Sequence, residues 1–147
     1  MAYDVLIQNG NVIDGTGAPA RKADIAVQGD RISRIAEPGT LEDGAARVID
    51  ASGHTVTPGF VDIHTHLDAQ IWWDPAATSS CWHGVTSVVM GNCGVTFAPC
   101  REEDRDYLAR MMESVEDVPA QSIAEGMPWQ WETFGEYLSA LDSLPKG

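Results

Sequence analysis

"PGFVDIHTHLD", residues 58–68, decides how the rest of the chain is read. Pro58 and Gly59 make a turn, and "FVDIHTH" then reads as a strand. Phe60, Asp62, His64 and His66 share one face; Val61, Ile63 and Thr65 share the other. The strand is apolar behind and mixed in front. Two imidazoles on one face of a strand end can reach one metal ion or two adjacent ions. A polar strand end is the plainer explanation, and an HxH pair alone is a weak signal.

The residues that follow strengthen the metal reading. "PAATSSCWHG", residues 75–84, reads as a short helix ending near Gly84. "VTSVVMGNCG", residues 85–94, is a second strand, apolar or β-branched until Gly91. Strand, helix and strand in this order imply a parallel pair joined by a crossover. The tops of such strands lie about 4.8 Å apart, and barrel active sites occupy that end. Cys93 follows the second strand, so its thiolate could join the histidines. Gly91 and Gly94 would let the backbone turn sharply around it. A buried, inert thiol is an equally good reading of the spacing.

On the amino-terminal side, residues 1–57 read as short strands and turns. Asn9-Gly10, Gly29-Asp30 and Ser52-Gly53 are the turn signals, so a small β unit built from hairpins is expected. On the carboxy-terminal side, "EEDRDYLARMMESVE" (102–116) reads as a helix with Tyr107, Leu108, Met111, Met112 and Val115 on one side. In "TFGEYLSALDSLPKG" (133–147), Thr133 and Glu136 have capping-box spacing. Phe134, Tyr137, Leu138 and Leu141 follow at helical intervals, and Pro145 and Gly147 close the helix. These stripes are read as core, not as cofactor contacts. The fold class is α/β: a β-rich unit over 1–57, then over 58–147 the first strands and helices of a TIM-like (β/α)8 barrel. A whole barrel needs about 250 residues and eight strands. Two barrel strands in 147 residues therefore predict the N-terminal part of a longer protein.

Composition excludes some partners. A net charge of −13 and an isoelectric point near 4.4 argue against nucleic acid and against an anionic membrane surface. The acidic clusters Glu102–Asp106 and Glu113–Asp117 read as solvated helix faces. "MAYDVLIQNG" lacks a basic start and an apolar core of signal-peptide type, and no apolar run approaches the roughly 20 residues of a membrane span. Three cysteines without paired spacing suggest no disulfide framework, so a cytoplasmic location is expected.

"NGNVIDGTG", "PGFVDIHTHLD" and "HGVTSVVMGNCGVTFAPC" together resemble the amidohydrolase superfamily, and within it the N-acyl-D-amino-acid deacylase branch. The resemblance covers nearly the whole chain. HTH marks the superfamily; GNCG is the more specific signal. The resemblance implies metal-ligand roles for His64, His66 and Cys93, with zinc as cofactor. It implies a barrel beside a small β-sandwich built by both chain ends. It also implies that Cys93 works with two later histidines at a tight zinc, the HxH pair serving a weaker neighbouring site. An N-acyl-D-amino acid is then the small-molecule substrate, cleaved to a carboxylate and a D-amino acid with the help of a late aspartate. No counterparts of the later histidines or of that aspartate are found in this sequence, so the piece alone is expected to be inactive.

Other residues are read more plainly. His54 is given a surface or structural role and His83 a helix-end contact. Asp68 is expected to be solvated in its loop. Trp72 and Trp73 suit either an acyl pocket or packing against the barrel. Cys81 and Cys100 are idle thiols, and Asp62 needs a hydrogen-bond partner if it faces inward. Two rivals remain: a cyclic-amide hydrolase of the dihydropyrimidinase or hydantoinase type, and a non-catalytic truncated chain that associates with itself through exposed strand edges.

Overall fold

The computed structural model describes residues 3–41, 44–91 and 93–145. The chain divides into two compact units, Met1–Pro58 and Gly59–Gly147. Asn92 of the GNCG motif and the closing Gly147 lie outside the described residues.

The first unit holds β1 (Val5–Val12), β2 (Arg21–Gln28), β3 (Arg31–Ala36), β4 (Arg47–Asp50) and β5 (Thr55–Val56). The strands form one sheet in the order β3-β2-β1-β4, and β5 also pairs with β1. Two clusters of buried apolar residues form in it, Leu6 with Ala26 and Leu41, and Val12 with Ala23 and Ile25. The hairpin expected at Gly29-Asp30 forms: Gln28 faces Arg31, and Gly29 takes a φ of 61°.

Asn9-Gly10 forms no turn. β1 runs straight through it, with a register shift against β2 between Ile7 and Gly10. Asn9 has a φ of 62°, and its N–H donates to the buried carboxylate of Asp24 at 2.7 Å. Asn-Gly signals a left-handed backbone position, which a bulge uses as readily as a turn. At Gly10 a side chain would come within 2.7 Å of Val56 Cγ2, which explains the glycine. Nor is the unit a chain of hairpins, since β4 and β5 run parallel to β1.

The second unit opens with β6 (Phe60–Thr65), which pairs in parallel with β7 (Val85–Met90). Its helices are α1 (Leu67–Gln70), α2 (Thr78–Trp82), α3 (Arg105–Glu116), α4 (Ala120–Gly126) and α5 (Phe134–Asp142). A 3-10 turn, Glu102–Asp104, leads into α3. The strand–helix–strand crossover is thus present, with Gly84 in the left-handed region at the end of α2. The capping box of α5 is also formed: Thr133 Oγ1 accepts from Glu136 N, and Glu136 Oε2 accepts from Thr133 N.

The core of this unit comes from helices and the loop after β7, not from the strands. Phe97, Ala109, Met112, Ile123, Met127, Trp131 and Tyr137 are buried together. Two expected helix faces are only partly right. On α3 the buried residues are Ala109 and Met112, while Tyr107 and Val115 are exposed. Ala109 and Met112 belong to the buried cluster, and their stripe is the one covered. On α5 Tyr137 is buried, but Phe134 and Leu138 are exposed. In β6, Val61 and Ile63 are 60% and 71% exposed, so the apolar back of the strand is bare in this chain.

Candidate metal centre

β6 ends at Thr65, whose hydroxyl donates to the Val89 carbonyl of β7 at 2.9 Å. His64 lies inside the strand, and His66 is the residue preceding α1. Their rings remain neighbours, with centroids 5.6 Å apart. Cys93 stands three residues beyond β7, between Gly91 (φ 73°) and Gly94 (φ 79°). Both glycines adopt backbone conformations that other residues enter at a cost. The chain therefore turns back and brings the thiol to the strand tops.

One ligand atom from each of His64, His66 and Cys93 lies within 4.8 Å of the other two. His64 and Cys93 are exposed, and His66 is half-buried. Ligands of a single tetrahedral zinc, at Zn–N of about 2.0–2.1 Å and Zn–S of about 2.3 Å, sit roughly 3.4–3.8 Å apart. Small side-chain rotations cover that difference. Two nitrogens and one sulfur form a donor set suited to zinc. His66 Nδ1 is buried with no hydrogen-bond partner among the described residues, and His66 Nε2 lies 3.5 Å from Glu116 Oε1. The donor chemistry and the unpartnered nitrogen both fit a cation.

Sequence reading missed what surrounds these donors. Asp68 is not solvated: it is 2% exposed, and its Oδ2 accepts the Phe97 N–H at 3.0 Å. Burial pushes its carboxyl above the ordinary carboxylate value, against the hydrogen bond from Phe97. The Asp68 carbonyl accepts from Trp72 Nε1 at 3.1 Å and from the Tyr137 hydroxyl at 3.2 Å. Trp131 Nε1 donates to the Phe97 carbonyl at 2.7 Å. The one available hint was an acid held between apolar Leu67 and Ala69.

Trp72 packs inward, stacked on Trp131 at 4.8 Å and edge-on to Tyr137 at 5.7 Å. Trp73 is partly exposed and lies against Gly126. Asp62 is half-buried and accepts the His64 N–H at 3.1 Å. His54 Nδ1 is 3.0 Å from the Ser52 carbonyl in an exposed turn, and His83 caps the end of α2. All three cysteines are free; Cys81 is exposed, and Cys100 is buried, which pushes its thiol up. Among the described residues, no helix is long and apolar enough to cross a membrane.

Residues 47–146 match the model of the amidohydrolase family. The chain is 38% identical to D-aminoacylase of Alcaligenes xylosoxydans xylosoxydans over 97% of its own length and 27% of that protein's. A solved structure of D-aminoacylase superposes with a TM-score of 0.73 at 37% identity, over 95% of this chain and 27% of the other. N-acyl-D-glutamate deacylase from Bordetella bronchiseptica superposes with a TM-score of 0.74 at 34% identity, over 97% of this chain and 27% of the other. That enzyme was solved with zinc and a phosphonate inhibitor that mimics the tetrahedral intermediate. The chain spans about a quarter of the length of the relatives it matches.

Proposed function

The chain belongs to the amidohydrolase family, and from that premise we propose that it forms the N-terminal part of a zinc-dependent hydrolase of N-acyl-D-amino acids. The observation that carries this reading is the convergence of His64, His66 and Cys93 on one point at the strand tops. In it, residues 1–57 contribute to a composite β-sandwich, and 58–147 open the barrel. The protein works in the cytoplasm, where its thiols stay reduced.

The residues divide the labour by chemistry. His64, His66 and Cys93 would hold the metal through their ring nitrogens and sulfur. A zinc ion bound there supplies a Lewis acid that polarises an amide carbonyl and makes water more acidic. Gly91 and Gly94 shape the loop that presents the thiol, β6 presents the His64 imidazole, and the junction between β6 and α1 presents that of His66. The substrate class rests on similarity to a D-aminoacylase and an N-acyl-D-glutamate deacylase. Hydrolysis of its amide gives a carboxylate and a free D-amino acid. Three donors make an incomplete catalytic site, so the 147-residue chain alone is inactive on this reading.

The test is zinc analysis and an N-acyl-D-amino-acid hydrolysis assay on the full-length enzyme. Cys93→Ala is expected to lose zinc and most of its activity. Retention of full zinc and full activity by that variant would sink the ligand assignment. Zinc-dependent turnover by the isolated 147-residue chain would overturn the claim that it is inactive.

A further inference from the structure

Asp68 stands two residues after His66, and Phe97 four residues after Cys93. The 3.0 Å bond from Phe97 N–H to Asp68 Oδ2 joins the segment that ends β6 to the loop that follows β7. It is buried at both ends, since Phe97 is fully buried and Asp68 is 2% exposed. Removing a carboxylate from water is costly, and one backbone N–H offsets only part of that cost. Asp68 Oδ1 is itself buried with no hydrogen-bond partner among the described residues. An apolar side chain of similar size would fill this space without the desolvation cost.

The two residues joined by this bond are fixed from behind. The Trp131 indole holds the Phe97 carbonyl, and the Trp72 indole and Tyr137 hydroxyl hold the Asp68 carbonyl. Among the described residues, the Asp68 side chain thus bridges two backbone segments whose carbonyls are held by separate donors. We propose that Asp68 is a positioning residue, whose carboxylate ties the Cys93 loop to the strand end bearing His64 and His66 and so sets the distance between thiol and imidazoles. This rests on the metal-centre reading above. Asp68 itself donates nothing to the metal; it acts through Phe97 on the placement of Cys93.

Cobalt(II) as the probe metal, added to the metal-free full-length protein, tests this. A thiolate-to-cobalt charge-transfer band reports ligation by Cys93, and near-ultraviolet circular dichroism reports the tryptophan cluster. Asp68→Ala is expected to bind cobalt about 10–100-fold more weakly and to lose most of the band. Asp68→Asn, whose amide oxygen can still accept from Phe97 N–H, is expected to keep the band and lie within a few-fold of the parent. An Asp68→Ala protein with parental affinity and band would overturn the proposal. So would a folded Asp68→Asn protein that has lost the band, and Asp68→Asn decides alone if the alanine variant does not fold. Failure of the metal reading has a different signature: a parent protein whose cobalt spectrum does not change on Cys93→Ala.

Discussion

At Tyr137 a single proton matters to the core. Its hydroxyl donates to the Asp68 carbonyl, and burial, helped by the nearby Asp68 charge, pushes the phenol well above its ordinary value of 10.0. The folded state therefore holds this proton more tightly than the unfolded chain does. Its contribution is fully present below about pH 10 and declines as pH rises above that toward the folded value. Unfolding followed by near-ultraviolet circular dichroism should show Tyr137→Phe less stable than the parent at neutral pH, by roughly 1 kcal/mol for the lost hydrogen bond. The gap should narrow above about pH 10; a gap independent of pH would count against this account. The burial of Tyr137 was legible from its helical spacing, but its bond to Asp68 was not; the nearness of His64 and His66 was legible because they stand two residues apart at one strand end. Spacing alone left Cys93 open between ligand and inert thiol; the resemblance carried by GNCG grouped it with the histidines, and the structure places the three side chains together. The burial of Asp68 depends on Phe97, 29 positions away, and no periodicity reports a partner at that distance.

Among elements, α5 carries the clearest local instruction. The two backbone hydrogen bonds that Glu136 accepts, from Thr133 and Glu132, hold its carboxyl below the ordinary value of 4.5. A depressed value means that the stabilisation is present above about pH 4.5 and lost as pH falls through the folded value. Thr133→Ala should cost about 1 kcal/mol at neutral pH, the usual worth of such a cap. Adding acid should shrink the difference between parent and Glu136→Ala, read by chemical denaturation at two pH values. An undiminished difference in acid would mean that the carboxylate is not the capping group. Capping boxes, the Gly29-Asp30 hairpin and the β6–α2–β7 crossover were legible because each is specified within a few residues. The bulge at Asn9 was not, because the choice between turn and bulge is made by Asp24 on the next strand. Helix α4 was missed for another reason: seven residues anchored by one buried side chain, Ile123, are too short to display a period.

For the molecule as a whole, bare apolar strand and surplus negative charge pull in opposite directions. Phe60, Val61, Ile63 and Val89 are all exposed on the two-stranded sheet, which among the described residues pairs only with itself. Open strand edges with apolar faces favour association, while a net charge of −13 opposes it. Raising salt from about 10 mM to 150 mM shortens the screening length from about 30 Å to about 8 Å. Sedimentation of the 147-residue chain should therefore show association that grows with salt and with concentration; a monomer under all conditions would remove this reading. The hydrogen bond from Tyr137 to the Asp68 carbonyl has a consequence in time. Asp68 lies 69 residues before the Tyr137 hydroxyl that secures it. At roughly 5–20 residues per second of synthesis, that interval is about 3–14 s. His64, His66 and Cys93 are thus synthesised before α5, which brings the Tyr137 hydroxyl to the Asp68 carbonyl, so the candidate ligands precede that contact in the life of every copy.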